Sequence, residues 1–307
     1  MKNFIISVDS SASFTQEELD KHGILMVRLS YTLDGVEYPD NLENDEQKQA
    51  LYDKLAEGKL AQSSKANPQN FIDTWRETLE AGHDILHLSL SSQVSGSYDS
   101  ACQAAEEMSA LYGQKIFVVD TLTGSFAITA LALDLMNIQS TATIEEARDF
   151  ALSGLNDYNL IFTIGDIRHL YRGGRISHMK ALLGGLLHLK PILFINDQGR
   201  VTFLMNARGT RQAISLMVQK LLKNMTAHTD SAYISHGGDL PLAETLKDKI
   251  MEAFPRLKDI HIDYLTPALG VHGGPGSLLL CFKGGHRQNV LGEAVPKEKL
   301  TATLADA

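Results

Sequence analysis

Short apolar runs alternate along this chain with polar loops and helical periodicities, most regularly in its first half. Phe4 to Val8 reads as a buried strand, and Thr15-Gln16-Glu17-Glu18 behind it is a capping box that opens a helix. Ile24 to Leu33 reads as a second strand and Asp45 to Glu57 as a helix. Asn67-Pro68 supplies the N-cap and first-turn proline of a helix to about Ala81. Ile85 to Leu90 and Ile116 to Val119 are further strands, followed by helices to about Tyr112 and over Ser125 to Met136. Strands alternating with helices predict right-handed crossovers and a parallel sheet with helices on both faces.

After a helix at about Ile144 to Leu155 the pattern changes. Leu160 to Ile164 is a strand, Met179 to Leu189 a very apolar helix with a Gly184-Gly185 pair, and Pro191 to Ile195 a strand. Asn196-Asp197-Gln198-Gly199-Arg200 is a hairpin turn into Val201 to Met205, so an antiparallel pair enters and the sheet is mixed. Helices over Arg208 to Lys223 and Leu240 to Ala253 separate strands at Ser231 to Ser235 and Ile260 to Tyr264, and Leu278 to Phe282 is the last strand. From Gly284 the chain turns polar without a clear period and reads as a tail. The expected organisation is α/β with an N-terminal domain over 1–157, a C-terminal α/β domain with a mixed sheet over 158–284, and a tail over 285–307.

A length of 307 residues is enough for two cores, and 44% hydrophobic with 21% charged residues describes an ordinary soluble protein. The net charge of −9 argues against nucleic acid, whose binders carry basic faces. Cys102 and Cys281 belong to no CxxC or Cys/His pattern, read as buried small hydrophobes, and imply a reducing cytoplasm. The opening residues read as a strand rather than a signal peptide, because Asp9 interrupts a short apolar run. The longest apolar stretch, Ala181 to Ile195, holds His188, Lys190 and Pro191 and falls short of a membrane span.

The carboxyl ends of parallel strands are where such sheets bind ligands. Here Asp9-Ser10-Ser11-Ala12-Ser13, Ser91-Ser92-Gln93-Val94-Ser95-Gly96-Ser97 and Asp120-Thr121-Leu122-Thr123-Gly124 crowd three of those ends with hydroxyls, a polar rim along one sheet edge. Singly, each loop is better read as turn and capping chemistry; it is their recurrence that points to a site. No GxxxxGK[ST] or GxGxxG nucleotide motif occurs, and no GxSxG elbow. His83 and His87 lack an HExxH context, and no ligand-like histidine cluster predicts a metal. Serine-rich loops without a nucleophile motif suit a binder better than a catalyst.

Together the segments resemble the DegV family, whose characterised members are fatty-acid-binding subunits of bacterial fatty acid kinase. The resemblance runs from Val8-Asp9-Ser10 through Ser63-Ser64, Leu90 to Ala101, Asp120-Thr121, Arg172-Gly173-Gly174-Arg175-Ile176-Ser177 and Leu189-Lys190-Pro191-Ile192-Leu193 to His272-Gly273-Gly274-Pro275-Gly276. Two departures stand out. The family usually carries Thr-Ser-Gln-Pro where this chain has Ser63-Ser64-Lys65-Ala66, and Ser13 stands where an acidic residue is common.

The resemblance implies a two-domain fold that holds a long-chain fatty acid, with its carboxylate between the domains and its acyl chain in an apolar tunnel of the second. By motif, the carboxylate contacts are the loop residue Ser63, Ser95, the backbone N–H of Gly96, and His272 in a Gly/Pro-rich loop. A strand end meeting a helix start at Ser95-Gly96 suits an anion on general grounds. Leu182, Leu183, Leu186, Leu187 and Leu189 with Ile192 and Phe194 are candidate tunnel walls, or ordinary core. Burying about fifteen methylenes at roughly 0.8 kcal/mol each contributes on the order of 12 kcal/mol gross. Arg172 and Arg175, with Arg208 and Arg211, are candidates for contact with the kinase or, transiently, a membrane surface. On this reading the chain is not an enzyme and needs no metal or cofactor; it presents the carboxylate to a separate ATP-dependent kinase that forms the acyl phosphate. The alternatives are an enzyme acting directly on a lipid or a phosphorylated small molecule at the serine-rich cleft, and a lipid-sensing regulator.

Overall fold

The first half does form crossover units. In the computed structural model, which describes residues 3–41, 44–176, 189–257 and 259–291, strand β1 (Ile5–Asp9) leads into α1 (Gln16–His22), opened by the expected capping box at Thr15 and Glu18. There follow β2 (Leu25–Val27), β3 (Ser30–Leu33), β4 (Val36–Pro39), α2 (Asp45–Ala56), β5 (Ala61–Ser64) and α3 (Pro68–Glu80), the last capped by Asn67. Then come β6 (Ile85–Ser89), α4 (Ser97–Tyr112), β7 (Ile116–Asp120), α5 (Phe126–Ile138) and α6 (Ile144–Gly154). Four strands form a parallel sheet in the order β2-β1-β6-β7.

The expected single strand over Ile24 to Leu33 is two. β2 joins the parallel sheet, whereas β3 pairs antiparallel with β4 and β5 in a separate three-stranded sheet. Ser63 and Ser64, expected in a loop, are therefore held in a strand, opposite Tyr31 and Ser30. The Ala-Gln-Ser-Ser of β5 lacks the apolar alternation that marks a strand, and β4 is exposed throughout.

In the second half β8 (Tyr158–Thr163), α7 (Arg168–Arg172), β9 (Leu189–Ile195), β10 (Val201–Arg208) and α8 (Gly209–Asn224) precede β11 (Ser231–His236), α9 (Leu240–Ala253), β12 (Asp259–Tyr264), α10 (Pro267–Gly273) and β13 (Leu278–Lys283). The six strands make a mixed sheet, β10-β9-β8-β13-β11-β12, in which only β11 and β12 run parallel. The apolar helix expected over Met179 to Leu189 lies outside the described residues, except Leu189, which begins β9. The stretch from Gly284 is not all tail: Arg287–Leu291 forms a short 3-10 turn, and buried Arg287 donates to the carbonyls of Leu122, Asn196 and Leu155.

Strand alternation assigns the mixed sheet's two faces. Leu160, Phe162, Ile164, Leu193, Ile195, Leu279 and Cys281 face the first half and share one core with Phe4, Ile6, Leu86 and Leu88. Ile161, Ile192, Phe194, Leu278, Leu280 and Phe282 face α8 and α9 in a second core. Between the two large sheets lies α5, apolar on nearly all sides and packed on β1 and β6 as well as β8, β11 and β13. The core is thus continuous across position 157.

Candidate functional site

Where the two halves face one another, a pocket of about 860 Å³, counted to its open mouth, enters between the serine loop and α10. Its depth is walled by Leu160, Phe162, Ile164, Ile195, Val201 and Leu279 from the mixed sheet, with Leu90, Leu170 and Leu265. Its less buried rim carries Ser63, Ser95, His272, Lys65 and Arg175, while Ser91 and Thr123 line it from buried positions. No carboxylate is among the lining residues described.

Ile192 and Phe194, expected in the tunnel wall, are instead in the second core, because strand alternation turns them toward α8; Ile195 takes the pocket side. Leu189 does not line the pocket, and Leu182, Leu183, Leu186 and Leu187 fall outside the described residues.

The loop bearing Ser95 is pinned on several sides. Asp9, buried at the end of β1, accepts from the N–H of Leu90 at 2.7 Å and from the N–H and hydroxyl of Ser11. Burial raises its carboxyl above the ordinary range despite those bonds. Asp120 accepts from the N–H groups of Ser92 and Leu122, each at 3.1 Å. Ser91 donates to the Gly199 carbonyl of the β9–β10 hairpin at 2.9 Å, and Arg175 donates to the Val94 carbonyl at 2.9 Å. Two non-glycine residues with positive φ, Leu122 at 52° and Ser125 at 56°, flank the pocket residues Thr123 and Gly124.

Ser95 Oγ accepts from the Ser97 N–H at 3.2 Å and donates to the Ser97 hydroxyl at 3.0 Å, so it helps cap α4 while lining the pocket. Gly96 is the N-cap residue, and a side chain added there would meet Lys65. The first N–H groups of a helix have no partner within it, so this corner is electropositive.

His272, expected in a loop, lies on α10, whose start is tied down from the first half: buried Asp40 accepts from the Ser10 hydroxyl at 2.8 Å and from the Ala268 N–H at 3.4 Å. Burial, the largest cause, lifts the Asp40 carboxyl to about 7. Tyr52 donates to the Leu265 carbonyl at 2.6 Å, and its ring end fills the space beside Gly270. These contacts set His272 Nε2 2.6 Å from Ser63 Oγ.

Burial, then repulsion from Arg175 and His169, pushes the His272 imidazole down to about 3, so it is neutral near pH 7. Its Nδ1 is buried without a hydrogen-bond partner and abuts Gly173, where any β-carbon would collide with it. A buried orphan N–H is rarer than an orphan acceptor, which assigns the proton to Nε2. Ser63 then accepts from His272, and its own hydroxyl proton is free to donate into the pocket.

Ser63, Ser95 and His272 therefore line one pocket; Gly96 is not among its lining residues and lies beside Ser95 and Lys65. The four arginines separate. Arg175, half-buried, lines the pocket, whereas Arg172, Arg208 and Arg211 are exposed. Asp9, Asp40 and Arg175 as positioning groups were not legible in the sequence: Asp40 has no local signal, and the Arg-Gly-Gly-Arg turn does not distinguish its two arginines. Among the described residues no group of His, Cys, Asp or Glu is placed to hold a metal, and no helix is long and apolar enough to cross a membrane.

The chain is similar to known proteins along nearly its whole length. A DegV domain-containing protein of Clostridium perfringens is 32% identical over 287 residues, 92% of this chain and 98% of the relative. The structure of a DegV family protein from Thermus thermophilus, described by its fatty acid binding, aligns with a TM-score of 0.81 at 25% identity, covering 92% of this chain and all of that one. The fold also matches the Streptococcus pneumoniae fatty acid kinase B3 protein loaded with linoleic acid, with a TM-score of 0.77 at 18% identity over 92% and 99% of the two chains. The family model described as uncharacterised protein, DegV family, matches residues 3–283, and the chain belongs to the DegV family.

Proposed function

We propose that this protein binds one long-chain fatty acid, its acyl chain against the inner face of the mixed sheet and its carboxylate at the rim. The observation that carries this reading is a pocket with an apolar depth whose rim gathers hydroxyls, a neutral imidazole and two cations, with no carboxylate among its described lining residues. Such a site suits an amphipathic anion. The description of the Thermus thermophilus relative by its fatty acid binding supports the same ligand class.

Ser63, backed by His272, holds the carboxylate with Ser95 and the Gly96 N–H, contributed by residues 1–157 and 158–284 on either side of the cleft. The protein acts as a non-catalytic subunit: a separate kinase, whose ATP places the reaction in the cytoplasm, phosphorylates the presented carboxylate to an acyl phosphate. The site orients the reacting group and supplies no bond-making group of its own. Exposed Arg172, Arg208 and Arg211 form the contact with that kinase or, transiently, with an anionic membrane surface.

Incubation of the loaded protein with ATP and the fatty acid kinase catalytic subunit of its own organism tests the reading. Acyl phosphate is expected from the two together and from neither alone. Arg172→Ala should keep its lipid and slow the transfer. Turnover by this chain alone, or a loaded protein that the kinase ignores, contradicts the assignment.

A further inference from the structure

Lys65 is one of the two cations that line the pocket. It follows β5 directly, and Ser63, Ser64 and Lys65 all line the pocket. Its side chain lies along Gly96: a β-carbon there would be 3.1 Å from Lys65 Cδ and 3.5 Å from Nζ. The ammonium is thus set against the N-cap of α4, where the helix dipole is already positive.

A cation in that place is unfavourable unless an anion lies between it and the helix. Lys65 takes part in none of the ion pairs among the described residues, and no carboxylate lines the pocket around it. Arg175 adds a second positive charge to the same rim, near enough to depress the His272 imidazole. The rim hydroxyls, Ser63 with the neutral imidazole behind it among them, can bond an acid or an alcohol alike. The cations, together with the positive start of α4, separate a charged head group from a neutral one.

We propose that Lys65 is a specificity-determining residue whose ammonium pairs with the ionised carboxylate, so that the site selects fatty acid anions over neutral lipids of equal length. The inference rests on the fatty acid reading above and adds to it the charge state of the ligand and the residue that reads it. Lys65 is exposed, so the pair is screened by salt, and its contribution is one of selectivity more than of total affinity.

The test is displacement of a fluorescent fatty acid from delipidated wild-type protein, Lys65→Gln and Lys65→Met by dodecanoate and by 1-dodecanol, at low and high salt. The acid-over-alcohol preference is expected to fall at least threefold in both variants, and the salt dependence of dodecanoate binding to weaken with it. A preference that falls less than threefold in either variant overturns the role of Lys65. Wild-type protein that binds neither the fluorescent fatty acid nor dodecanoate removes the fatty acid reading itself, a result distinct from a bound ligand whose selectivity ignores Lys65.

Discussion

Ser63 and His272, 209 positions apart in the chain, meet with Oγ and Nε2 2.6 Å apart at the rim of the pocket. One comes from a three-stranded antiparallel sheet of the first half and the other from a helix of the second, so the pair exists only when the two halves are docked. Because His272 donates to Ser63, the two act on a ligand as one unit. Ser63→Ala should weaken fatty acid binding about fivefold to tenfold, the worth of about one hydrogen bond. His272→Ala should do the same, and the double variant should lose less than the sum of the two, read in a double-mutant cycle of dissociation constants. Fully additive losses would mean that the two residues bind independently.

Gly173 backs directly onto the imidazole. A methyl group at that position overlaps His272 Nδ1, and the ring must move. Gly173→Ala should cost about 1–3 kcal/mol of stability as overpacking and carry a loss of fatty acid affinity comparable to His272→Ala. Thermal melts and binding on the same preparation check it. Unchanged affinity would show that the ring's position is not what the ligand reads.

Asp40 ties the chain before α2 to the start of α10, and its carboxyl is lifted from 3.8 to about 7 in the fold. The native state therefore holds a proton that the unfolded chain releases, at a difference on the order of 4 kcal/mol. That contribution is fully present below pH 3.8 and is lost as the pH rises toward about 7. The buried His87, lowered to about 3, acts the other way, its stability contribution being lost as the pH falls below 6.5. Asp40→Asn keeps the neutral state at every pH and leaves the histidines alone. Its stability advantage over wild type in denaturant melts should grow between about pH 4 and 7 and then level off. A difference independent of pH would show that Asp40 is ionised in the native protein.

Much of this architecture is legible from residue order alone, since β1, β6 and β7 are apolar runs each followed by a hydroxyl-rich loop. The three-stranded sheet was not, because β5 reads Ala-Gln-Ser-Ser and β4 is exposed throughout; tertiary pairing with Ser30–Leu33 makes strands where propensity does not. α10 was hidden for a similar reason. Pro267-Ala268-Leu269-Gly270-Val271-His272-Gly273 has two glycines in seven residues, and its helix is held by Asp40 at its start and Tyr52 against Gly270. Arg287 reads as tail charge and is instead buried, bonded to three carbonyls that no local pattern brings together. The pocket hydroxyls of Ser91, Ser95 and Thr123 could be found from sequence because each follows a strand, whereas Ser63 lies within β5; the sharing of the rim between Arg175 and Lys65 could not, because it depends on which way a turn folds back.

The central claim is that the pocket holds a fatty acid, and the most direct measurement is denaturing extraction of the purified protein followed by mass spectrometry of the released lipid. The account predicts about one long-chain fatty acid per chain, its length and unsaturation read from the same spectrum. A protein that releases none and takes up none when fatty acid is added would contradict it, leaving the fold without this function.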